Sequence, residues 1–198
     1  PYIKSLGTEK GWYRVGPLAR LNTAKFIPTP LAQKEFEIFK AYTKGKPNNM
    51  CMHMHWARLI ELLHSAEMIK VLLNDPDIMK GEIVTKGTKQ SRGVGLIEAP
   101  RGTLFHHYEI NENDQIVKAN LIVSTTNNNQ PMNSGVEFVA KKMMTGASKI
   151  TEPMMNACEV VIRAYDPCLS CATHSLGKMP LEITLADENN NIIDRRSK

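Results

Sequence analysis

The chain has 198 residues, of which 42% are hydrophobic and 23% charged, with a formal net charge of +5, which is enough for one globular domain of ordinary composition or two very small ones. No apolar run approaches the roughly 18–20 residues of a membrane span, and nothing at the start reads as a secretion signal. Lys and Arg are interleaved with acids and form no basic stripe with stacking aromatics, so no nucleic-acid partner is expected. Four cysteines, two of them clustered, do not make a secreted disulfide framework, and the expected compartment is the cytoplasm. Pro1 in place of an initiator Met points to a processed chain or a fragment.

Residues 1–28, punctuated by Gly7, Gly11, Gly16 and Pro17, hold no apolar period and read as irregular. Thr29-Pro30 has the form of an N-cap followed by proline at the first helical position. It predicts a helix from Pro30 to about Lys44 with Leu31, Phe36, Phe39 and Tyr42 among its apolar positions. The longest helical signal runs from Met50 to Leu73, with apolar residues mostly at steps of three, four and seven, and it stops at Asn74-Asp75-Pro76. His53, His55 and His64 lie within it and read as hydrogen-bonded or partly exposed histidines. His53 and His55 are two apart, so they point to different sides of a helix and make poor co-ligands.

From Lys80 to Val123 the period changes to two. Leu104–Ile110 and Gln115–Val123 flank Asn111-Glu112-Asn113-Asp114 and predict a β-hairpin. Ser134-Gly135-Val136-Glu137 has the form of a capping box and is expected to open a helix. Thr151-Glu152-Pro153 opens another, whose stripe of Met154, Ala157, Cys158, Val161, Ile162 and Tyr165 makes Cys158 a small core residue. This helix delivers the chain into Asp166-Pro167-Cys168. The tail, Met179–Leu185 and Ile192–Ile193 around Asp187–Asn191, reads as a weak hairpin. The expected fold class is α+β and mainly helical: helices packed around a carboxy-terminal metal motif, with a small antiparallel sheet.

That motif is Asp166-Pro167-Cys168-Leu169-Ser170-Cys171-Ala172-Thr173-His174. Two thiols three residues apart, with an imidazole three residues further on, place soft sulfur and borderline nitrogen donors in one short stretch suited to zinc, iron or nickel. Two sulfurs alone do not fill a four-sulfur site, and Cys51 and Cys158 form no second pair. Either another polypeptide completes the site, or the CxxC is a redox or structural feature. Thioredoxin-like chemistry places CxxC at a helix start after a strand, whereas here it follows a predicted helix.

These residues resemble the DPCxxCxxH signature of the large subunit of nickel–iron hydrogenases. Further stretches are similar to that family: Glu98-Ala99-Pro100-Arg101-Gly102, with His106-His107-Tyr108 beyond it; Asn120-Leu121-Ile122-Val123-Ser124; Tyr13-Arg14-Val15-Gly16-Pro17-Leu18-Ala19-Arg20; and His55-Trp56-Ala57-Arg58. The resemblance covers essentially the whole chain and is closest in character to the cytoplasmic group linked to NAD(P), F420 or heterodisulfide.

The resemblance implies reversible heterolytic cleavage of H2 at a Ni–Fe(CN)2(CO) centre. In it Cys168 is a terminal nickel ligand, and Cys171 bridges nickel and iron. Arg101 stands over the open metal position with Asp166 as its ionic partner, and Ser124 hydrogen-bonds a cyanide. Pro100, Ile122 and Val123 pack around the diatomic ligands, although the family often has proline where Val123 stands. His174, with the backbone carbonyl of Asn120, holds a divalent cation, expected to be magnesium. His174 also marks the cut made by a maturation protease, so residues 1–174 read as the carboxy-terminal half of the large-subunit domain and residues 175–198 as a removable extension. Electrons are expected to leave through iron–sulfur clusters on a partner small subunit.

One departure is large. The family's RxCGxC motif, source of the other two thiolates, is absent from these residues, so the chain reads as a fragment, as a relic, or as a split subunit, in which case a chain carrying the RxCGxC half is a further expected partner. The alternative reading is a non-catalytic, hydrogenase-like structural or assembly subunit without a complete nickel–iron site.

Overall fold

The computed structural model describes residues 1–198 except 174, 175, 176 and 178. In chain order the helices are α1 (Gly7–Lys10), α2 (Pro17–Thr23), α3 (Pro30–Tyr42), α4 (His53–Leu73), α5 (Ser124–Asn127), α6 (Asn129–Met144), α7 (Glu152–Ala164) and α8 (Leu169–Thr173). The strands are β1 (Arg92–Ala99), β2 (Gly102–Ile110), β3 (Ile116–Ile122), β4 (Glu182–Ala186) and β5 (Ile192–Ser197). This is the expected class, mainly helical with a small antiparallel sheet. Among the described residues no helix is long and apolar enough to cross a membrane. The chain divides into two compact units, Val15–Ile122 and the combination of Pro1–Arg14 with Val123–Lys198.

In the unit Val15–Ile122, α4 packs against α2 and α3. Met54, Ala57 and Ile60 recur at steps of three on its inner side and are all buried, as are Phe36 and Phe39 of α3 and Leu18 and Leu21 of α2. Phe39 meets Trp56 edge-on with ring centroids 5.2 Å apart. Burying one such phenylalanine contributes roughly 2–3 kcal/mol. His53 Nδ1 lies 2.7 Å from the amide nitrogen of the buried Asn48, and His64 Nδ1 lies 2.9 Å from the Thr29 hydroxyl. Both are hydrogen-bonded structural histidines, as the sequence suggests.

Two expectations for this unit are corrected. Pro17–Thr23 is helical, not irregular, because Pro17 starts the helix at N1 and Leu18 and Leu21 form a buried pair. Thr29 occupies the N-cap position of α3, but its side chain makes no capping bond. The cap comes from α4: Glu67 accepts the N–H groups of Leu31 and Ala32 at 3.1 and 3.0 Å.

Burial raises the Glu67 pKa, but the Ala32 and Leu31 N–H groups, the Thr29 hydroxyl and the charge of His64 outweigh it, and the carboxyl sits below its ordinary value. A depressed carboxylate contributes stability above its unfolded pKa and loses it as pH falls through the folded value. The melting temperature of Glu67→Gln should therefore trail wild type at pH 7 and converge with it below about pH 4; parallel curves across that range would exclude the cap.

Strands β1, β2 and β3 form an antiparallel meander in which Leu96 pairs with Phe105 and Phe105 with Ile122. The predicted hairpin is β2–β3. In its turn Asn111 Oδ1 accepts the N–H groups of Asn113 and Gln115, each at 3.0 Å, and Asp114 takes the left-handed φ of 61°.

In the other unit α6 packs on α7. The capping-box reading of Ser134–Glu137 is corrected, since α6 begins at Asn129. Pro131 falls in the first turn, where a missing N–H costs nothing. Gly135 is a packing residue: a Cβ there would lie 2.9 Å from Val161 Cγ1, so glycine lets the two helices approach. Met155, Cys158, Val161 and Ala164 form the buried stripe of α7, with Cys158 a core residue as expected.

The β4–β5 hairpin replaces the weak tail signal and is firmly attached. Asp194 accepts the Ile150 N–H at 2.7 Å, Arg196 donates to the Ile150 carbonyl at 3.3 Å, and Lys198 Nζ donates to Asn156 at 2.8 Å.

Candidate metal centre

Helix α7 ends at Ala164, and the chain turns sharply at Asp166. This residue has a left-handed φ of 50° and donates its N–H to the Arg163 carbonyl at 2.9 Å. Aspartate is among the few non-glycine residues that adopt this conformation readily. The reversal sends Pro167-Cys168 away from α7 and into the short helix α8. Cys168 and Cys171 lie one turn apart and are closed on each other as a disulfide, Cα atoms 5.4 Å apart. Their sulfurs therefore converge on one point. When reduced, two thiols this close are spaced for a single metal ion to take both. Cys168 is half-buried and Cys171 exposed.

The motif is braced by α5. Thr125, 2% exposed, accepts the Cys168 N–H on its hydroxyl at 3.1 Å. Ser124 beside it is also buried, and Val123 is half-buried at the head of the helix. Tyr13 donates to Asn127 Oδ1 at 2.6 Å, fixing the far end of the same turn; burial pushes the Tyr13 phenol pKa up. Thr125 is a site residue that the sequence does not single out. Its one visible signal is position, next to Ser124 in a family-like segment.

Pro100, Arg101, Asn120 and Ile122 belong to the unit Val15–Ile122. Pro100 and Arg101 are the two central residues of the β1–β2 turn, between the paired residues Ala99 and Gly102, and both are exposed. The Val15–Arg20 segment holds this turn from one side. A Cβ on Gly16 would lie 3.0 Å from the Arg101 carbonyl oxygen, and one on Gly102 would overlap the Val15 side chain.

Arg20 reaches the same turn. It grips both oxygens of Glu61 at 2.6 Å, Glu98 at 2.5 Å, and the carbonyls of Ala99 and Pro100 at 3.0 and 2.8 Å. Burial lowers the Arg20 pKa, but its bonds to Glu61 and Glu98 more than offset this and the net shift is upward. Asn120 lies exposed on β3 opposite His107, and Ile122 ends that strand, half-buried. Arg101 and Asp166 belong to different units. His174 lies outside the described residues.

Two converging thiols fit half of a tetrathiolate nickel–iron site. They do not complete it. Among the described residues no cluster of three or more His, Cys, Asp or Glu side chains is placed to hold a metal. Cys158 is buried and Cys51 half-buried, and burial pushes the Cys158 thiol pKa up, which leaves it a poor ligand.

The model of the family described as nickel-dependent hydrogenase matches residues 2–174. The chain belongs to the nickel-dependent hydrogenase family. It is similar to the beta subunit of the NAD-reducing hydrogenase HoxS of Cupriavidus necator, 55% identical over 201 residues that cover 100% of this chain and 41% of that subunit. It is also similar to a subunit of the F420-non-reducing hydrogenase of Methanothermobacter thermautotrophicus, 42% identical over 98% of this chain and 42% of the relative. The crystal structure of an NAD+-reducing nickel–iron hydrogenase in the H2-reduced state superposes with a TM-score of 0.81 and 49% identity, covering 87% of this chain and 38% of that one. The chain thus spans about two fifths of the length of the hydrogenase subunits it matches, in keeping with the carboxy-terminal large-subunit region expected from its motifs.

Proposed function

We propose that this chain is the carboxy-terminal part of the catalytic large subunit of a nickel–iron hydrogenase that reversibly splits H2 into two protons and two electrons. The observation that carries the proposal is the convergence of the Cys168 and Cys171 sulfurs on α8, braced by Thr125, in a chain whose residues 2–174 match the family.

A bound nickel–iron centre supplies the Lewis acidity that polarises H2 for heterolytic splitting. In this reading Cys168 and Cys171 hold it as thiolates, and the remaining two thiolates come from the RxCGxC half. The Cys168 thiolate, or Arg101 if its guanidinium has first given up a proton, would receive the released proton, and the Asp166 carboxylate would orient Arg101. Ser124 donates to a cyanide on iron, and Pro100, Ile122 and Val123 exclude water around the diatomic ligands. His174 and the Asn120 carbonyl hold magnesium. Residues 175–198 are cleaved after His174 by a maturation protease, and electrons pass to iron–sulfur clusters of a partner small subunit, in the cytoplasm. The relative named as a subunit of an NAD-reducing hydrogenase supports a cofactor-coupled acceptor.

The test is to purify the complex anaerobically together with the chain that carries RxCGxC and to measure its metals. One nickel per complex is expected, with iron in excess of it because the partner's iron–sulfur clusters add theirs. A complex that assembles without nickel would instead mark a structural or assembly subunit.

A further inference from the structure

We propose that Arg20 is a positioning residue of this centre: its guanidinium fixes the backbone of the turn that presents Pro100 and Arg101. The role at the metal rests on the function proposed above; the clamp itself rests on geometry alone.

The β1–β2 turn cannot set its own shape. Two-residue hairpin loops normally use mirror-image turns with positive φ at the first central residue or at both, because these match the twist of the flanking strands. Pro100 is locked at negative φ by its ring, and Arg101 is not among the residues of positive φ. The chain reverses one residue late, at Gly102 with φ 126°. Such a turn lets the strands splay unless something outside it holds the peptide planes.

Arg20 does so at two successive carbonyls. Nη1 donates to Ala99 O at 3.0 Å and Nη2 to Pro100 O at 2.8 Å, the two peptide groups immediately before Arg101. Nη1 also bonds Glu98 Oε1 at 2.5 Å, and the other oxygen of Glu98 accepts from Thr103 at 2.7 Å, so both strands are tied beside the turn. The guanidinium is itself anchored to α4 by the bidentate Glu61 contact. These five bonds use all five of its N–H donors. A planar five-donor fork can serve a carboxylate and two carbonyls together; a lysine ammonium, with three donors at one point, cannot. Arg20 touches no reacting atom in this arrangement. It acts through the backbone at Arg101.

The test uses the full-length protein in its assembled complex, as wild type, Arg20→Gln and Arg20→Lys. The Lys variant keeps a cation beside Glu61 and guards against simple loss of folding. Three quantities are read: amide hydrogen exchange of the peptide containing Glu98–Leu104, nickel and iron content, and kcat and KM for H2. Exchange in that peptide should accelerate roughly tenfold in both variants while α3 and α4 remain protected. Metal content should be retained, and kcat should fall by roughly a hundredfold with KM little changed, as displacement of a catalytic group by about 1 Å would produce.

Unchanged exchange in both variants overturns the clamp. Accelerated exchange with unchanged kcat overturns the positioning role. A wild-type complex without nickel overturns the function proposed above and the catalytic half of this inference with it, and the exchange result then decides the clamp separately.

Discussion

Replacing Cys171 by serine in the assembled complex is expected to remove nickel and iron together and to abolish H2 turnover. The sulfurs of Cys168 and Cys171 converge on one point, so loss of one leaves a single soft donor from this chain. A serine hydroxyl is hard and stays protonated near neutrality, whereas a thiol close to its ordinary pKa of about 8.5 is readily deprotonated by a metal. The loss should exceed the roughly 10–100-fold caused by removing an outer partner of a metal ligand. Replacing Cys158 by alanine provides the contrast: that thiol is 2% exposed within the α7 stripe, so metal content should be unaffected even if stability declines. Nickel analysis with a parallel H2-oxidation assay decides the matter, and a Cys171→Ser complex that keeps its nickel would exclude the ligand assignment.

The second large effect is on the fold. Gly102→Ala should destabilise the chain by about 3 kcal/mol or more, near the upper range for a single substitution. The backbone there has φ 126°, and an added methyl group would overlap the Val15 side chain and lie 2.9 Å from the Gly16 nitrogen. Neither the backbone nor a β-branched valine can yield cheaply. Trimming Val15 to alanine in the Gly102→Ala background should restore only part of the loss, since the Cβ of residue 15 at 2.7 Å and the Gly16 nitrogen at 2.9 Å stay in the way of the added methyl group. Gly93 has no neighbour within 4 Å of an added Cβ and no positive φ, so Gly93→Ala should change stability by no more than about 0.5 kcal/mol. Urea titrations of these variants test this; equal losses at Gly93 and Gly102 would refute the close-approach account.

Sequence signals are reliable where they are local. Thr29-Pro30, the period of α4, the Asn111–Asp114 turn and the Thr151-Glu152-Pro153 start each act within a few residues of chain, through a fixed φ, a missing N–H or a side-chain bond to the nearby backbone. The observed spans α3 (Pro30–Tyr42), α4 (His53–Leu73) and α7 (Glu152–Ala164) differ from the expected ones mostly at their ends, where helices fray and partners compete. The closeness of the Cys168 and Cys171 thiols is likewise legible, because their spacing is short enough for one turn of helix to bring them together.

What the sequence by itself determined was the set of elements and the chemistry they carry: a mainly helical chain ending in a paired-thiol motif, with a polar turn closing a hairpin. Tertiary structure alone decided which groups support one another over distance. The cap of α3 is Glu67, 35 residues from Ala32; the brace on Cys168 is Thr125, 43 residues away; and Arg20 holds carbonyls 79 and 80 residues further along the chain. Gly135 likewise reads as a helix start until Val161 is seen against it. Local rules cannot reveal such partners, because a hydrogen bond or a close approach between distant segments exists only after the helices between them have packed.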